Sequence, residues 1–320
     1  MRSFLRIPSV VTSTVAIRLR PIDLEAAKAG EESKKKSSSG DKQAWTLSRG
    51  GGTDSLVQKG IARKKEGTTA FTFDQVFDED TQTPFIYKSI ARPMVKTVLS
   101  GRHATIFAYG QTGSGKTYTM QGEGLSTSGT AGIVQLVAGD IFRSMKQGVY
   151  AKRDFTIRVS YVEVYNERIR DLLSDETDDS EASHGTPNSQ IQIKQSLPET
   201  EGPEQVTIRT TATGDIQLSA KQLEVTTVDQ VLNLLIVGNS YRVTASTDRN
   251  QHSSRSHAVF RLTVESKEKG AGDDDLELEG DPGVVRRADF NLVDLAGSES
   301  VKFANTSGIR QLEGAKINQR

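Results

Sequence analysis

The string GQTGSGKT at residues 110–117 constrains this 320-residue chain more than any other feature. It follows directly on the strand-like run Thr105, Ile106, Phe107, Ala108, Tyr109 and precedes a segment able to continue as helix. That is the context a phosphate-binding loop requires. Backbone N–H groups must curl around phosphate oxygens, a conformation that side chains at Gly110, Gly113 and Gly115 would obstruct. Lys116 adds a point charge for the phosphates and Thr117 a hydroxyl for magnesium. A turn of glycine, serine and threonine can match such a string by coincidence, but the preceding strand and the complete spacing argue against it. The expectation is a protein that binds a nucleoside triphosphate.

Which triphosphate protein is not legible from composition. Lysine plus arginine and aspartate plus glutamate both number 41, so no global imbalance points to nucleic acid or an anionic membrane, and a charged partner must be met by a local patch. With no cysteine there is no disulfide framework and no thiolate metal site, which suits a reducing cytosol. No apolar run approaches membrane-spanning length. The start of the chain lacks acids and carries Arg2, Arg6, Arg18 and Arg20 among serines and threonines. It faintly resembles an organelle transit peptide, but residues 1–14 are read as a disordered leader.

Ordered patches alternate with polar inserts near 29–42, 174–205 and 267–283. The inserts lack periodicity and bury too little to fold alone. Val15 to Leu19 reads as a strand. Thr83-Pro84 is a cap followed by proline at the first helical position, opening a helix to about Leu99 that Pro93 is expected to kink and Gly101 to stop. Phe155, Ile157, Val159 and Tyr161 alternate with polar residues, as do Phe260, Leu262 and Val264, the period of a half-buried strand. Thr227 with Gln230 resembles a capping box before an apolar helix, with Gly238 placed where that helix would stop. Asp273, Asp274 and Asp275 lack the spacing of a calcium loop and read as a solvated hairpin tip.

Two further motifs make the chain specific: NQHSSRSH at residues 250–257 and DLAGSE at residues 294–299. Nucleotide chemistry in P-loop proteins needs an acid beside magnesium and flexible segments that sense the terminal phosphate. Asp294 and Gly297 suit those needs. With IRLRP at 17–21, ATIFAYGQTGSGKTYTM at 104–120, YVEVYNERIRDLL at 161–173 and EGAKIN at 313–318, the chain resembles the kinesin motor domain over most of its length, from about residue 15. Myosins share a related loop and switch arrangement, but their switch sequences differ from SSRSH and DLAGSE.

The resemblance implies an α/β P-loop NTPase, three-layer α/β/α around a central mixed, mostly parallel sheet, in one partial motor domain over 15–320. It also implies roles. Arg18, Arg20 and Pro21 would wall the adenine side, with Tyr118 stacked on the base. Gly110, Gln111, Thr112, Gly113, Ser114, Gly115, Lys116 and Thr117 would hold the phosphates. Asn250, Ser253, Ser254 and Arg255 would form switch I, and Asp294, Gly297 and Glu299 switch II, with Arg255 and Glu299 bridging to close the pocket around the attacking water. Magnesium would sit at Thr117 and, through water, at Asp294. ATP and Mg2+ are thus the implied cofactors and microtubules the implied partner, with cytoplasm and cytoskeleton as the location. Neither nucleic acid nor membrane insertion is expected, and a homodimer would use a region outside these residues.

The sequence departs from the family pattern at Gln135-Leu136, where Pro-Arg is usual, at Ser300, where Arg is usual, and at Asn305, where Gly is common. Within residues 300–310, Lys302 and Arg310 are the candidate cations for acidic tubulin, though bare exposed charges would look the same. Most of the main track-binding helix, a central last strand and the neck linker are expected beyond Arg320. The reading is therefore an ATP-driven microtubule motor; the alternative is a truncated nucleotide-binding or interaction module that does not move.

Overall fold

The alternating runs become the long strands of one sheet. The computed structural model describes residues 13–21, 45–50, 52–58, 70–123, 130–174, 205–210, 216–244, 254–269 and 285–299, and divides into two compact units, 1–82 and 83–320. The insert at 29–42 lies outside the described residues, as do most of those at 174–205 and 267–283 and most of the leader.

In the first unit β1 (Ala16–Arg18) pairs in parallel with β5 (Gln75–Phe77), while β2 (Trp45–Gly50), β3 (Thr53–Gln58) and β4 (Ala70–Phe73) form an antiparallel meander. The β2–β3 hairpin was not anticipated from the sequence, although its signal is present: Gly52 has φ +89° at the turn that places Gly50 opposite Thr53, a conformation glycine adopts without strain.

The second unit opens with α1 (Thr83–Ile86), a π-helical stretch (Tyr87–Ala91) and α2 (Arg92–Leu99). This is the expected continuous helix, and its irregular turn falls just before Pro93, whose ring displaces the regular hydrogen-bond pattern. Gly101, at φ +90°, donates its N–H to the Val98 carbonyl at 2.9 Å and ends the helix as expected. Then follow β6 (Ala104–Ala108), α3 (Lys116–Gln121), α4 (Ile133–Ser144), a 3-10 turn (Gly148–Lys152), β7 (Arg153–Tyr165) and β8 (Arg168–Asp171). The hairpin of β9 (Ile208–Thr210) and β10 (Ile216–Leu218), β11 (Leu223–Val225), α5 (Val228–Thr244), β12 (His257–Glu268) and β13 (Arg286–Asp294) complete it.

The central sheet has the order β11-β7-β12-β13-β6, with β8 also on β7. Ile157, Val159 and Tyr161 of β7, Ala258, Phe260, Leu262 and Val264 of β12, and Ala288, Phe290 and Leu292 of β13 are all buried. They share one core with Val95, Val98 and Leu99 of α2, Val134, Val137 and Ile141 of α4, and Val231 and Leu235 of α5. The opposite face carries a polar ladder instead, in which Arg261 Nε donates to Asn291 at 2.8 Å and Thr263 Oγ1 to Asp289 at 2.8 Å.

The α/β class and the mixed sheet are as expected, but the balance of the sheet is not. Among the described strands of this sheet only β13 with β6 runs parallel, and the other pairings are antiparallel. Part of the cause is connectivity: β7–β8 is a direct hairpin, which needs no crossover helix. The register of β12 with β13 places Ser266 opposite Arg286, and the expected hairpin tip at Asp273, Asp274 and Asp275 lies outside the described residues. Gly238 is also a correction: α5 runs through it to Thr244. A Cβ at Gly238 would stand 2.7 Å from Tyr161 Cε1, so this glycine admits a close approach between helix and sheet rather than ending the helix.

Candidate functional site

Residues 110–117 join the end of β6 to α3. Gly113 and Gly115 have φ +76° and +97°, in the left-handed region that only glycine occupies routinely. A Cβ at Gly110 would lie 2.5 Å from Ser114 Oγ. The loop is pinned from inside, since Lys116 Nζ donates to the carbonyls of Gly110 at 2.9 Å and Gln111 at 3.0 Å. Burial pushes Lys116 below the ordinary lysine value, and the carboxylates of Asp294 and Glu299 oppose that shift.

Asp294 ends β13 next to the end of β6, because Asp294 is the register partner of Ala108. Thr117 Oγ1 donates to Asp294 Oδ2 at 2.6 Å. The other oxygen, Oδ1, is buried without a hydrogen bond, so this hydroxyl and acid offer the sparse oxygen set that suits magnesium, which keeps water and substrate phosphate in its remaining positions. The 294–299 segment is tied through the backbone both to Ser254 and to the loop. Gly297 N–H donates to the Ser254 carbonyl at 2.7 Å, and Ser298 N–H to the Gly110 carbonyl at 3.1 Å. The three motifs expected to act together are thereby in contact.

Glu299 reaches the loop directly. Its Oε2 accepts from the Thr112 backbone N–H at 2.8 Å and its Oε1 from the Thr112 hydroxyl. Burial acts to raise its pKa, but these bonds outweigh it and hold the carboxyl below the ordinary glutamate value. A side chain at Gly297 would collide with this pair. Of the remaining candidates, Arg255 is half-buried in the turn beside Ser254, and Tyr118 is half-buried on α3. Asn250 and Ser253 lie outside the described residues, as do Lys302 and Arg310. Arg18, Arg20 and Pro21 belong to the first unit, where Arg18 donates to the Thr81 carbonyl at 3.4 Å.

Several residues of the site escaped sequence reasoning. Arg242 of α5 is buried with Nη1 3.8 Å from Asp294 and Nε 3.6 Å from Glu163, and it donates to Ser256 Oγ at 3.2 Å. Burial works against its charge, but Tyr161, Asp294 and Glu163 around it raise its pKa. Glu163 is 0% exposed. The available signal was a charge at an inward position: Glu163 continues the buried alternation of Val159 and Tyr161. His257, the last residue of the NQHSSRSH motif, also takes part: its Nδ1 accepts from the Ala296 N–H at 3.2 Å and so steadies the 294–299 segment.

The kinesin motor domain family matches residues 18–320. The kinesin-like protein KIN-7I of Oryza sativa subsp. japonica is 35% identical over 259 residues, 81% of this chain and 18% of that protein. Centromere-associated protein E of Homo sapiens is 36% identical over 255 residues, 79% of this chain and 8% of that protein. The chain thus spans less than a fifth of either relative. A solved structure of a fast kinesin aligns with a TM-score of 0.68 and 28% identity, covering 95% of this chain and 71% of that one. The family binds nucleotide, generally with Mg2+.

Proposed function

This chain belongs to the kinesin motor domain family, and on that premise we propose that it binds and hydrolyses MgATP and couples switch movements to microtubule binding. The observation that carries the proposal is the convergence of three distant motifs: Thr117 on Asp294, Gly297 on Ser254, and Ser298 on Gly110. Phosphoryl transfer asks a protein mainly for positioning and charge stabilisation. Here residues 110–117 would cradle the phosphates, with Lys116 toward the β and γ groups. Thr117 and, through water, Asp294 would hold magnesium, which when bound offsets the phosphate charge.

Ser254, Arg255, Gly297 and Glu299 act on the attacking water and the terminal phosphate, with Asn250 and Ser253 completing the first switch. Tyr118 takes the adenine side. Glu299 lies against the loop through Thr112, and with Arg255 it would close the pocket around the attacking water. Loss of the terminal phosphate releases the switch segments, the two-state element a motor passes to its track. We infer cytoplasm and the microtubule cytoskeleton as the location. Among the described residues no helix is long and apolar enough to cross a membrane.

The test separates binding from turnover. Lys116→Ala is expected to weaken binding of a fluorescent ATP analogue, whereas Glu299→Ala is expected to bind it but not turn ATP over. Normal hydrolysis by the Glu299 variant would sink the assignment.

A further inference from the structure

The helix that carries Lys116 and Thr117 is only six residues long, under two turns, and a helix so short has no stability of its own. Its rotation about its axis must be set by what holds its ends. At one end Thr117 bonds to Asp294, which Arg242 of α5 approaches at 3.8 Å. At the other end a second tie runs to the same partner helix: Asn239 Nδ2 donates to Gln121 Oε1 at 2.8 Å. The Tyr161 hydroxyl donates to Asn239 Oδ1 at 2.8 Å and accepts from Gln121 Nε2 at 3.4 Å, closing a triangle. Thr117 and Gln121 are four residues apart on α3, and Asn239 and Arg242 are three apart on α5. Each pair therefore lies on one helix face, and the two ties link the same two helices, one through Asp294 and one directly.

The main chain is secured at the same point. Gln135 of α4 donates its Nε2 to the Gln121 carbonyl at 2.7 Å and accepts the Gly132 N–H on its Oε1 at 2.6 Å. One side chain thus satisfies an orphan acceptor at the end of α3 and an orphan donor at the start of α4.

We infer that Gln121 and Asn239 are positioning residues, a second rung that fixes the rotation of α3 and thereby aims the Thr117 hydroxyl at the metal side of the nucleotide. The inference rests on the nucleotide reading above. Losing the rung lets α3 turn, and the metal-side hydroxyl is the group that moves off target.

The test is the Mg2+ concentration at which a fluorescent ADP analogue is half-retained, measured for the full chain with thermal stability alongside. Gln121→Asn and Asn239→Gln each break the reach of the rung and are expected to raise that concentration about fivefold, one hydrogen bond's worth. The double swap restores the combined length and is expected to return it to within about twofold of wild type. Tyr161→Phe keeps the ring but deletes one corner of the triangle, and is expected to shift it in the same direction; it serves if a swap variant fails to fold. Unchanged Mg2+ dependence in the single variants, or additive losses in the double, would overturn the inference. Thr117→Ala separates the two levels. If it shifts the Mg2+ dependence and Gln121→Asn does not, only the second rung fails; if Thr117→Ala shifts nothing, the metal reading fails with it.

Discussion

Replacing Gly238 by alanine sets two effects of opposite sign against each other. Glycine in a helix interior is worse than alanine by about 1 kcal/mol, so helix propensity alone favours the variant. The new methyl, however, would stand 2.7 Å from Tyr161 Cε1 and closer still to Cδ1, where ordinary contact begins near 3.4 Å. The ring must therefore retreat by more than half an ångström. It has little room to do so: Tyr161 is 1% exposed, meets Phe260 edge-on at 5.3 Å and is tied to Asn239. Overpacking of this kind costs about 1–3 kcal/mol, and each hydroxyl bond pulled out of line costs about 1 kcal/mol more. Against the propensity gain, a net loss of about 1–3 kcal/mol is expected. Thermal unfolding followed by circular dichroism should show Tm lower by about 2–4 °C for each kcal/mol. Gly238→Ala with a Tm equal to or above wild type would refute the reasoning, because propensity would then have outweighed the contact.

Other consequences are equally open to measurement. Arg242→Met should cost about 3–5 kcal/mol in denaturant unfolding, because it removes the buried cation beside the carboxylates of Glu163 and Asp294; a loss below about 1 kcal/mol would mean that this charge cluster is not held by Arg242. Tyr87→Phe removes the hydroxyl that donates to buried Asp140 at 2.5 Å and should cost about 1–2 kcal/mol, moderated by Arg92 and Arg143 on the same carboxylate. Glu299 has a depressed folded-state pKa, so the stability from its contact with Thr112 is present above the ordinary value of 4.5 and is lost as pH falls below it. Thr112→Val removes the hydroxyl donor and should move the Glu299 midpoint upward in an NMR pH titration; an unmoved midpoint would show that the hydroxyl does not hold it down.

What was legible in the sequence is what the backbone demands locally. Gly113 and Gly115 had to be glycine for the loop, Gly101 for the helix end, and the alternation at Phe155 to Tyr161 and Phe260 to Val264 fixed which side chains face the core. The Thr227 cap also forms, its hydroxyl accepting the Gln230 N–H at 3.2 Å, although the Gln230 side chain reaches back to the Thr226 N–H instead of its own. What was not legible depends on residues far apart in the chain. Gln121 and Asn239 are separated by 118 positions and Thr112 and Glu299 by 187, so neither pairing has a local signal. Gly238 misled because glycine serves both helix ends and close contacts, and only the neighbouring Tyr161 ring decides between them. The sheet's direction balance misled because strand type is local but strand partnership is not.

The most direct test of the motor reading is steady-state ATP turnover by the purified chain, with and without polymerised microtubules, beside Glu299→Ala under the same conditions. Wild-type turnover is expected to rise several-fold with microtubule concentration and to saturate, while the variant stays at background in both. Turnover that microtubules leave unchanged would contradict coupling to the track, and equal turnover by Glu299→Ala would contradict the site itself.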